Sequence, residues 1–386
     1  MIGLSILGAT GSIGRQTLDV CSWRPELRVQ ALTAGRDWQS LAEFAHVYQP
    51  EMVAIGDPDA YGPLRRALAS VPVRVAAGCE GILEAATCSG VDMVVAAISG
   101  MAGLPPLLAA IDSGKKIALA NKEALVAGGA LVMERAQRRG VSIAPVDSEH
   151  SALWQCLAGE NPENIARLIL TASGGAFRDL SMQELEQVTA AQALQHPNWR
   201  MGEKITIDCA TMVNKGLEVI EAHWLFGVPY ERIQVLVHRE SIVHSMVVFR
   251  DGSMKAQLAQ ADMRLPIQYA LLDRDRPQTL VEPPDLAALG ELHFAAADER
   301  RFPGFSAMIQ AGKKGGTAPA YLNGANEVLN LAFRQGKLSF LTLGQVLTQL
   351  SETYLPQPAN TETSIYQADQ QGRADAEQAV TQAGIG

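Results

Sequence analysis

The feature that most constrains the fold is a glycine-rich turn directly after the first apolar run. Ile2–Leu7 is short and mostly apolar, and Gly8-Ala9-Thr10-Gly11-Ser12-Ile13-Gly14 follows it at once. A helical pattern then begins and runs through Thr17–Cys21. Glycines at this spacing let the backbone turn tightly and approach a pyrophosphate, which binds at the amino end of the following helix. The stretch therefore predicts the strand, turn and helix of a dinucleotide-binding unit.

The end of the second predicted strand favours NADP over NAD. Val29–Thr33 leads into Ala34-Gly35-Arg36-Asp37. An acid at this strand end would hold the ribose 2′-hydroxyl of NAD, whereas glycine followed by arginine leaves room and charge for a 2′-phosphate. Asp37 weakens the argument, because a carboxylate repels a phosphate unless it points away. The alternative is that Arg36 is an ordinary solvated arginine.

Apolar runs alternate with helical stretches through the first third of the chain, which predicts a mostly parallel sheet covered on both faces. We expect an α/β fold with an N-terminal Rossmann-like NADP-binding domain at 1–146 and a central α+β catalytic domain with a lid loop at 147–271. A charged, proline-rich linker at 272–300 and a C-terminal helical bundle at 301–386 complete the prediction. The further strands predicted in the first domain are Met52–Ile55, Asp92–Ile98, Lys116–Ala120 and Ser142–Val146.

Composition excludes several classes of function. The formal net charge of −9 over 386 residues argues against a nucleic-acid partner, which requires a basic surface. Glycines and prolines interrupt the longest apolar passage, Met93–Ile111, so we expect no membrane span. The first strand pattern begins at the start of the sequence, and the five scattered cysteines show no CxxC spacing. These features predict a cytoplasmic protein with free thiols.

Polar residues follow two of the predicted strands. Asn121-Lys122-Glu123 comes after Lys116–Ala120 and either faces a ligand or only caps the next helix. Asp147 and Glu149 follow Ser142–Val146 with one residue between them. In extended backbone, residues two apart point to the same side, so these carboxylates would face one space. Hard divalent cations bind such oxygen pairs, although a solvated polar loop is the alternative.

Three motifs in the middle third suggest a phosphate and a cation. Ser173-Gly174-Gly175 can direct a hydroxyl and backbone N–H groups toward an anion, or form a plain turn. The segment 196–202 contains a tryptophan suited to a water-excluding lid, or to a half-buried anchor. Asn214 and Glu218 share one helix face beside Lys215, so they offer phosphate donors and a third carboxylate. The alternative for Glu218 is a solvated helix face.

The helix that carries Asn214 and Glu218 also contains a glycine, Gly216. Gly216 costs about 1 kcal/mol relative to alanine in a helix interior. We therefore expect another group to approach the helix closely at this position.

Seven motifs, in order along the chain, resemble the 1-deoxy-D-xylulose 5-phosphate reductoisomerase family. The resemblance implies an NADPH-dependent enzyme of non-mevalonate isoprenoid biosynthesis that isomerises and reduces 1-deoxy-D-xylulose 5-phosphate to 2-C-methyl-D-erythritol 4-phosphate. It also implies a homodimer and a requirement for Mg²⁺ or Mn²⁺, with Co²⁺ as a further candidate. The motifs are GATGSIG at 8–14, LANKEAL at 119–125, PVDSEHSA at 145–152, SGGAF at 173–177, HPNWRMG at 196–202, DCATMVNKGLE at 208–218 and GGTAPAYLNGANEV at 315–328.

The same resemblance implies a role for each motif residue. The implied metal ligands are Asp147, Glu149 and Glu218, which with Lys122 form the catalytic set. The implied substrate-binding residues are Lys122, Ser148, Glu149, Ser173, His196, Trp199, Cys209, Asn214, Lys215 and Glu218. The implied cofactor-binding residues are Thr10, Gly11, Ser12, Ile13, Gly35, Arg36, Asp37, Asn121, Glu123, Met201 and Gly202.

Two residues depart from the family pattern. Cys209 stands where the family would place a phosphate-binding serine, and a thiol is the weaker hydrogen-bond donor. Asp37 stands where an asparagine would be usual.

Two other functions remain as alternatives. An NADP-dependent dehydrogenase of another small phosphorylated sugar or semialdehyde would reduce a carbonyl without three carboxylates around a cation, so its activity would survive EDTA. A non-catalytic NADP-sensing regulator would keep the glycine turn but would have no use for Asp147, Glu149 and Glu218.

Overall fold

The computed structural model describes residues 1–199 and 201–383, so Arg200 of the HPNWRMG motif lies outside the described residues. The chain divides into two compact units, and the division differs from the four predicted segments. The predicted boundary after residue 146 falls inside the first unit, and the predicted linker contributes to both units. The first unit comprises Met1–Ala124, Val132–Ser151 and Asp262–Val281; the second comprises Leu125–Leu131, Ala152–Ala261 and Glu282–Gly386.

A seven-stranded parallel sheet forms the core of the first unit, which confirms the predicted α/β fold. Its order is β4-β3-β2-β1-β5-β6-β7. Arg74–Ala77, the edge strand β4, was not predicted, because it is short and only partly buried. The strands are β1 (Ile2–Leu7), β2 (Leu27–Ala34), β3 (Met52–Ile55), β4 (Arg74–Ala77), β5 (Met93–Ala96), β6 (Lys116–Leu119) and β7 (Ile143–Pro145).

The order of this sheet reverses at β1, so the carboxyl ends of β1 and β5 flank the switch point at which such sheets bind ligands. The turns after β1, β2, β6 and β7 all lie at the same edge, because every strand is parallel. The helices that begin in this part of the chain are α1 (Ser12–Trp23), α2 (Trp38–Tyr48), α3 (Tyr61–Ala67), α4 (Gly78–Thr87), α5 (Leu104–Asp112), α6 (Lys122–Arg139) and α7 (Ser148–Cys156).

The second unit contains a five-stranded mixed sheet in the order β11-β10-β8-β9-β12. β8 and β9 pair in parallel, and the remaining pairs are antiparallel. The strands are β8 (Ile165–Ala172), β9 (Ile233–Val237), β10 (Val243–Phe249), β11 (Met254–Leu258) and β12 (Ala295–Ala296).

Helices dominate the rest of the chain. The described helices include none that is long and apolar enough to cross a bilayer. They are α8 (Met182–Leu185), α9 (Ala190–Ala193), α10 (Glu203–Ala210), α11 (Val213–Phe226), α12 (Arg264–Leu271, in the first unit), α13 (Leu286–Leu289), α14 (Pro303–Lys314), α15 (Ala318–Arg334), α16 (Phe340–Thr353) and α17 (Glu362–Ala383).

The glycine inside α11 permits close helix packing. A Cβ on Gly216 would lie 2.6 Å from the Met308 Cβ and 3.0 Å from the Phe305 carbonyl oxygen, both on α14. The close approach expected from the sequence is therefore made by a neighbouring helix.

Candidate active site

The glycine turn after β1 has the geometry that a dinucleotide requires. Gly8 has a φ of +88°, and a Cβ on Gly14 would lie 2.3 Å from the Gly8 carbonyl oxygen. Gly11 is the N-cap of α1 and provides no side-chain hydrogen bond to the first turn. No N-cap side chain therefore accepts a hydrogen bond from the backbone N–H groups in the first turn of α1. Such N–H groups can donate to a pyrophosphate. Ser12 is exposed, and Thr10 and Ile13 are half-buried.

Two charged residues follow β2: Arg36 is exposed, and Asp37 accepts a hydrogen bond from the backbone. The Arg36 side chain is 88% exposed, with its Nε 3.2 Å from an Asp57 carboxylate oxygen. Asp37 caps α2, because its Oδ1 accepts a hydrogen bond of 3.1 Å from the Ser40 amide. An acid at position 37 thus has a structural function beside its predicted cofactor role. The space beside Gly35 is open, since a Cβ there would have no atom within 4 Å.

The residues after β6 divide between capping and ion pairing. Asn121 caps α6 by accepting from the Ala124 amide at 3.0 Å, and it donates to the Gly100 carbonyl at 2.9 Å. Lys122 is buried, and its Nζ lies 2.7 Å from the Asp147 Oδ2. Glu123 is half-buried in the first turn of the helix. Asn121 is therefore a helix cap, as one of the two alternatives predicted, and Lys122 is ion-paired with Asp147.

The backbone around Asp147 differs from the prediction. Because α7 begins at Ser148, Asp147 and Glu149 do not lie on one extended segment, and the argument from strand alternation was wrong. Glu149 lies in the first turn of α7, where the helix dipole favours a carboxylate. The Ser148 hydroxyl donates to the Glu149 carboxylate at 2.5 Å.

Two basic side chains, Lys122 and His150, lie beside the Asp147 carboxylate. Burial by itself would raise the pKa of this carboxyl, but the Lys122 ammonium and the His150 ring lower it, and the net pKa is well below its usual range. The His150 Nδ1 lies 3.5 Å from the Asp147 Oδ2. The sequence reasoning did not assign His150, although its position three residues after Asp147 was a usable signal. Asp147 is therefore ionised at neutral pH.

In the second unit, the predicted phosphate loop and the predicted lid contact each other. The Ser173 hydroxyl lies 2.9 Å from the His196 Nε2. The His196 Nδ1 accepts from the Asn198 and Trp199 amides, so in the neutral ring the proton is on Nε2 and points to Ser173. The Ser173 oxygen also accepts from the Gly175 amide at 3.2 Å.

The predicted lid segment packs on the loop before β10 through Asn198 and Trp199. The Asn198 side-chain amide donates to the Arg239 carbonyl at 2.8 Å and to the Ser241 hydroxyl at 2.7 Å. The Trp199 and His244 rings lie 6.1 Å apart between centroids. Asn198 was not assigned a role from the sequence, although it lies within the HPNWRMG motif.

Met201 and Gly202, the last two residues of the HPNWRMG motif, precede α10. Met201 is half-buried, and Gly202 is the N-cap of α10. Cys209 lies in the last turn of this helix, against the predicted phosphate loop. A Cβ on Gly175, whose φ is +69°, would lie 2.5 Å from the Cys209 carbonyl oxygen. The second unit therefore brings Ser173, His196 and Cys209 to one place.

The first turns of α11 carry a buried group of three polar side chains. The Asn214 amide donates to one Glu218 carboxylate oxygen and the Lys215 ammonium to the other. Glu218 and Lys215 are only 1% and 4% exposed, so the alternative of a solvated helix face was wrong. A buried carboxylate with these two donors satisfies the requirement for compensated charge.

Three family models cover most of the chain. The model described as 1-deoxy-D-xylulose 5-phosphate reductoisomerase matches residues 4–129. Its C-terminal domain model matches residues 143–226, and the model described as DXP reductoisomerase C-terminal domain matches residues 258–375.

Similar sequences and solved structures agree with these models. The reductoisomerase of Geobacillus kaustophilus (strain HTA426) is 52% identical over 92% of this chain and 93% of its own length, and that of Bacillus subtilis (strain 168) is 51% identical over 89% and 90%. The reductoisomerase from Zymomonas mobilis in complex with NADPH superposes with a TM-score of 0.93 at 41% identity, covering 98% of this chain and 99% of that one. A reductoisomerase in complex with NADPH, fosmidomycin and magnesium superposes with a TM-score of 0.94 at 38% identity. The superposition covers 99% of this chain and 98% of that one. The chain belongs to the 1-deoxy-D-xylulose 5-phosphate reductoisomerase family.

Proposed function

We infer that this chain converts 1-deoxy-D-xylulose 5-phosphate into 2-C-methyl-D-erythritol 4-phosphate, using NADPH and a divalent cation. The observation that carries this inference is the buried Lys122–Asp147 ion pair beside Glu149, at the ligand-binding edge of a dinucleotide-binding sheet. A simple dehydrogenase does not require acidic oxygen donors in that position. The relatives solved with NADPH and with magnesium support the same cofactors.

The proposed metal ligands are Asp147, Glu149 and Glu218. Asp147 and Glu149 belong to the first unit and Glu218 to the second, and each supplies a carboxylate. Carboxylate oxygens suit Mg²⁺ and Mn²⁺, with Co²⁺ as a further candidate, whereas zinc prefers cysteine and histidine. When bound, the ion supplies Lewis-acid polarisation of the substrate ketone and stabilises the developing alkoxide.

The proposed phosphate site consists of Ser173, Cys209, Asn214 and Lys215. Lys215 and Asn214 donate to Glu218 in this structure, so we propose that both turn toward the phosphate when substrate binds. A lysine has a long flexible stem that allows such an exchange of partners. Lys122 and Ser148 would orient the substrate hydroxyls.

The lid contributes by excluding water. Trp199 supplies apolar surface, and His196 links the lid to Ser173 of the phosphate site. Binding energy from the remote phosphate can therefore hold the lid closed over the reacting carbons.

For the cofactor, we propose that the backbone amides at the start of α1 hold the pyrophosphate of NADPH and that Arg36 holds the 2′-phosphate. NADPH supplies the hydride that reduces the rearranged aldehyde. The full proposed set is Thr10, Gly11, Ser12, Ile13, Gly35, Arg36, Asp37, Asn121, Glu123, Met201 and Gly202.

We also propose that the chain is a cytoplasmic homodimer, with nucleotide binding in 1–146, catalysis in 147–271 and a helical region in 301–386. Support for the dimer comes from β11, which forms an open edge of its sheet with an exposed Met254. Such edges are suited to pairing with a second chain.

A turnover assay tests the proposal. NADPH oxidation is followed at 340 nm with 1-deoxy-D-xylulose 5-phosphate, before and after EDTA and after Mg²⁺ is restored, and the product skeleton is identified by NMR. We expect rearranged product only with the metal. Turnover that survives EDTA would favour a dehydrogenase, and NADPH binding without turnover would favour a regulator.

A further inference from the structure

A buried carboxylate in α10 is held by two asparagines from a helix more than 100 residues away. The Oδ1 of Asp208 accepts from the Asn326 amide at 2.9 Å and from the Asn330 amide at 2.8 Å. Its other oxygen lies 3.0 Å from the Lys204 Nζ. Asp208 is 1% exposed and both asparagines are fully buried.

Helical spacing explains why two side chains reach one oxygen. Asn326 and Asn330 are four residues apart on α15, so they lie on one face of that helix. Asn330 also donates to the Lys204 carbonyl at 2.9 Å, in the first turn of α10. α15 therefore holds α10 at both its first and its second turn.

The helix held in this way connects the lid with the proposed phosphate site. α10 begins immediately after the lid, with Gly202 as its N-cap. Its last turn packs on the phosphate loop, where a Cβ on Gly175 would lie 2.5 Å from the Cys209 carbonyl oxygen and 2.7 Å from the Ala210 Cα. The chain then enters α11, which carries Asn214. A displacement of α10 would thus move both walls of the phosphate site and one end of the lid.

We propose that Asp208, Asn326 and Asn330 are positioning residues that set the phosphate site and the carboxyl-terminal end of the lid through α10. The proposal rests on the proposed function, because it takes the phosphate site from there. None of the three needs to touch substrate. Asn326 and Asn330 act as donors to a carboxylate that has no access to water, and the loss of either donor leaves that charge less compensated.

The first test compares two variants of α15. Asn330→Leu keeps the branching at Cγ but removes the donor to Asp208. We expect KM for the sugar phosphate to rise about tenfold, with KM for NADPH unchanged. The buried Asp208 carboxylate would lose a donor, and the resulting shift of α10 would affect the adjacent proposed phosphate site more than the distant cofactor site. Asn323→Leu is the matched control: Asn323 is fully buried on the same helix, and its polar atoms have no hydrogen-bond partner among the described residues. The control should leave both KM values unchanged.

A second test does not need turnover. Inorganic phosphate should raise the melting temperature of the wild-type chain and of Asn323→Leu, and this shift should be reduced in Asn330→Leu. The double variant Asp208→Asn with Asn330→Asp exchanges donor and acceptor, so it should recover part of the phosphate shift and of the sugar-phosphate KM. If Asn330→Leu does not fold, Asn330→Ser, which keeps a short donor, takes its place with a smaller effect in the same direction.

The outcomes separate this proposal from the proposed function. Equal changes in KM for sugar phosphate and NADPH, or an Asn323→Leu effect as large as that of Asn330→Leu, would overturn the positioning role. Absence of wild-type turnover would overturn the proposed function instead, and the phosphate-induced melting shift would then decide the positioning role alone.

Discussion

The two units present their functional side chains in different ways. In the first unit they follow strand ends, and the parallel sheet brings these ends to one edge. In the second unit, Asn214, Lys215 and Glu218 lie inside a helix that is buried on all sides in its first turns. Strand ends therefore display polar groups by topology alone, whereas a buried helical site depends on what packs around it.

The electrostatics of the two regions show the same contrast. Asp147 and Glu218 are each paired with a lysine, Lys122 and Lys215 respectively. The Asp147 side chain keeps 15% of its exposure, while that of Glu218 keeps only 1%. A charge as deeply buried as Glu218 depends on its donors, because removing a partner leaves an uncompensated charge. Substitutions in the second unit should therefore report on packing as well as on chemistry.

The largest expected effect is at Glu218. Glu218→Gln removes a proposed metal ligand and should lower kcat by about a thousandfold, since Lewis-acid stabilisation contributes several kcal/mol. NADPH affinity, measured by fluorescence, should stay within about twofold, as expected for a ligand that binds elsewhere. Glu327→Gln is the control, because Glu327 is also ion-paired in the second unit, with Arg373. Equal losses of turnover and NADPH binding would show that Glu218 is structural.

The next effect belongs to the first unit. A Cβ on Gly14 would collide with backbone atoms of Gly8 and Ala9, at 2.3 and 2.5 Å. Gly14→Ala should therefore weaken NADPH binding about a hundredfold, because the turn must open to accommodate the methyl group. Gly62→Ala, where the nearest atom is a flexible arginine nitrogen at 3.5 Å, should bind NADPH normally in the same titration. Normal binding by Gly14→Ala would contradict the assignment of the turn.

A smaller effect is expected at Arg301, which sequence reasoning did not assign. Its guanidinium donates to the Arg178 and Phe177 carbonyls at 2.9 Å and to the Leu180 carbonyl, so it holds the loop after Ser173. Arg301→Lys cannot make all three bonds and should lower the free energy of unfolding by about 2 kcal/mol in urea titrations.

The control for this substitution is the neighbouring exposed arginine. Arg300→Lys should leave the free energy of unfolding within about 0.5 kcal/mol of the wild type. Equal stability of the two variants would mean that the three carbonyl contacts contribute nothing.

The smallest effect is expected at the departure from the family pattern. Cys209→Ser restores a stronger donor and should leave KM for the sugar phosphate within about threefold, or lower it. Steady-state kinetics measure this directly. A large rise in KM would show that the thiol has a function of its own.

The sequence by itself determined the parallel sheet, the glycine turn and the approximate positions of most strands in the first unit. These features depend on local patterns: Ile2–Leu7 and Met52–Ile55 were predicted at their observed bounds because a buried strand is one apolar run between turn residues. The edge strand Arg74–Ala77 was missed because it lacks that apolar run. The backbone at Glu149 was predicted as extended but is helical. The sequence does not mark the residue at which the strand ends and the helix begins.

Only the tertiary structure decided which polar groups are paired. Asn330 and Asp208 are 122 residues apart, and Arg301 contacts carbonyls 121 to 124 residues before it. No local periodicity predicts such pairs, because tertiary packing determines which acceptor lies next to a buried donor. The burial of Glu218 was decided in the same way: its helix face is polar in sequence, and the surrounding helices remove it from water.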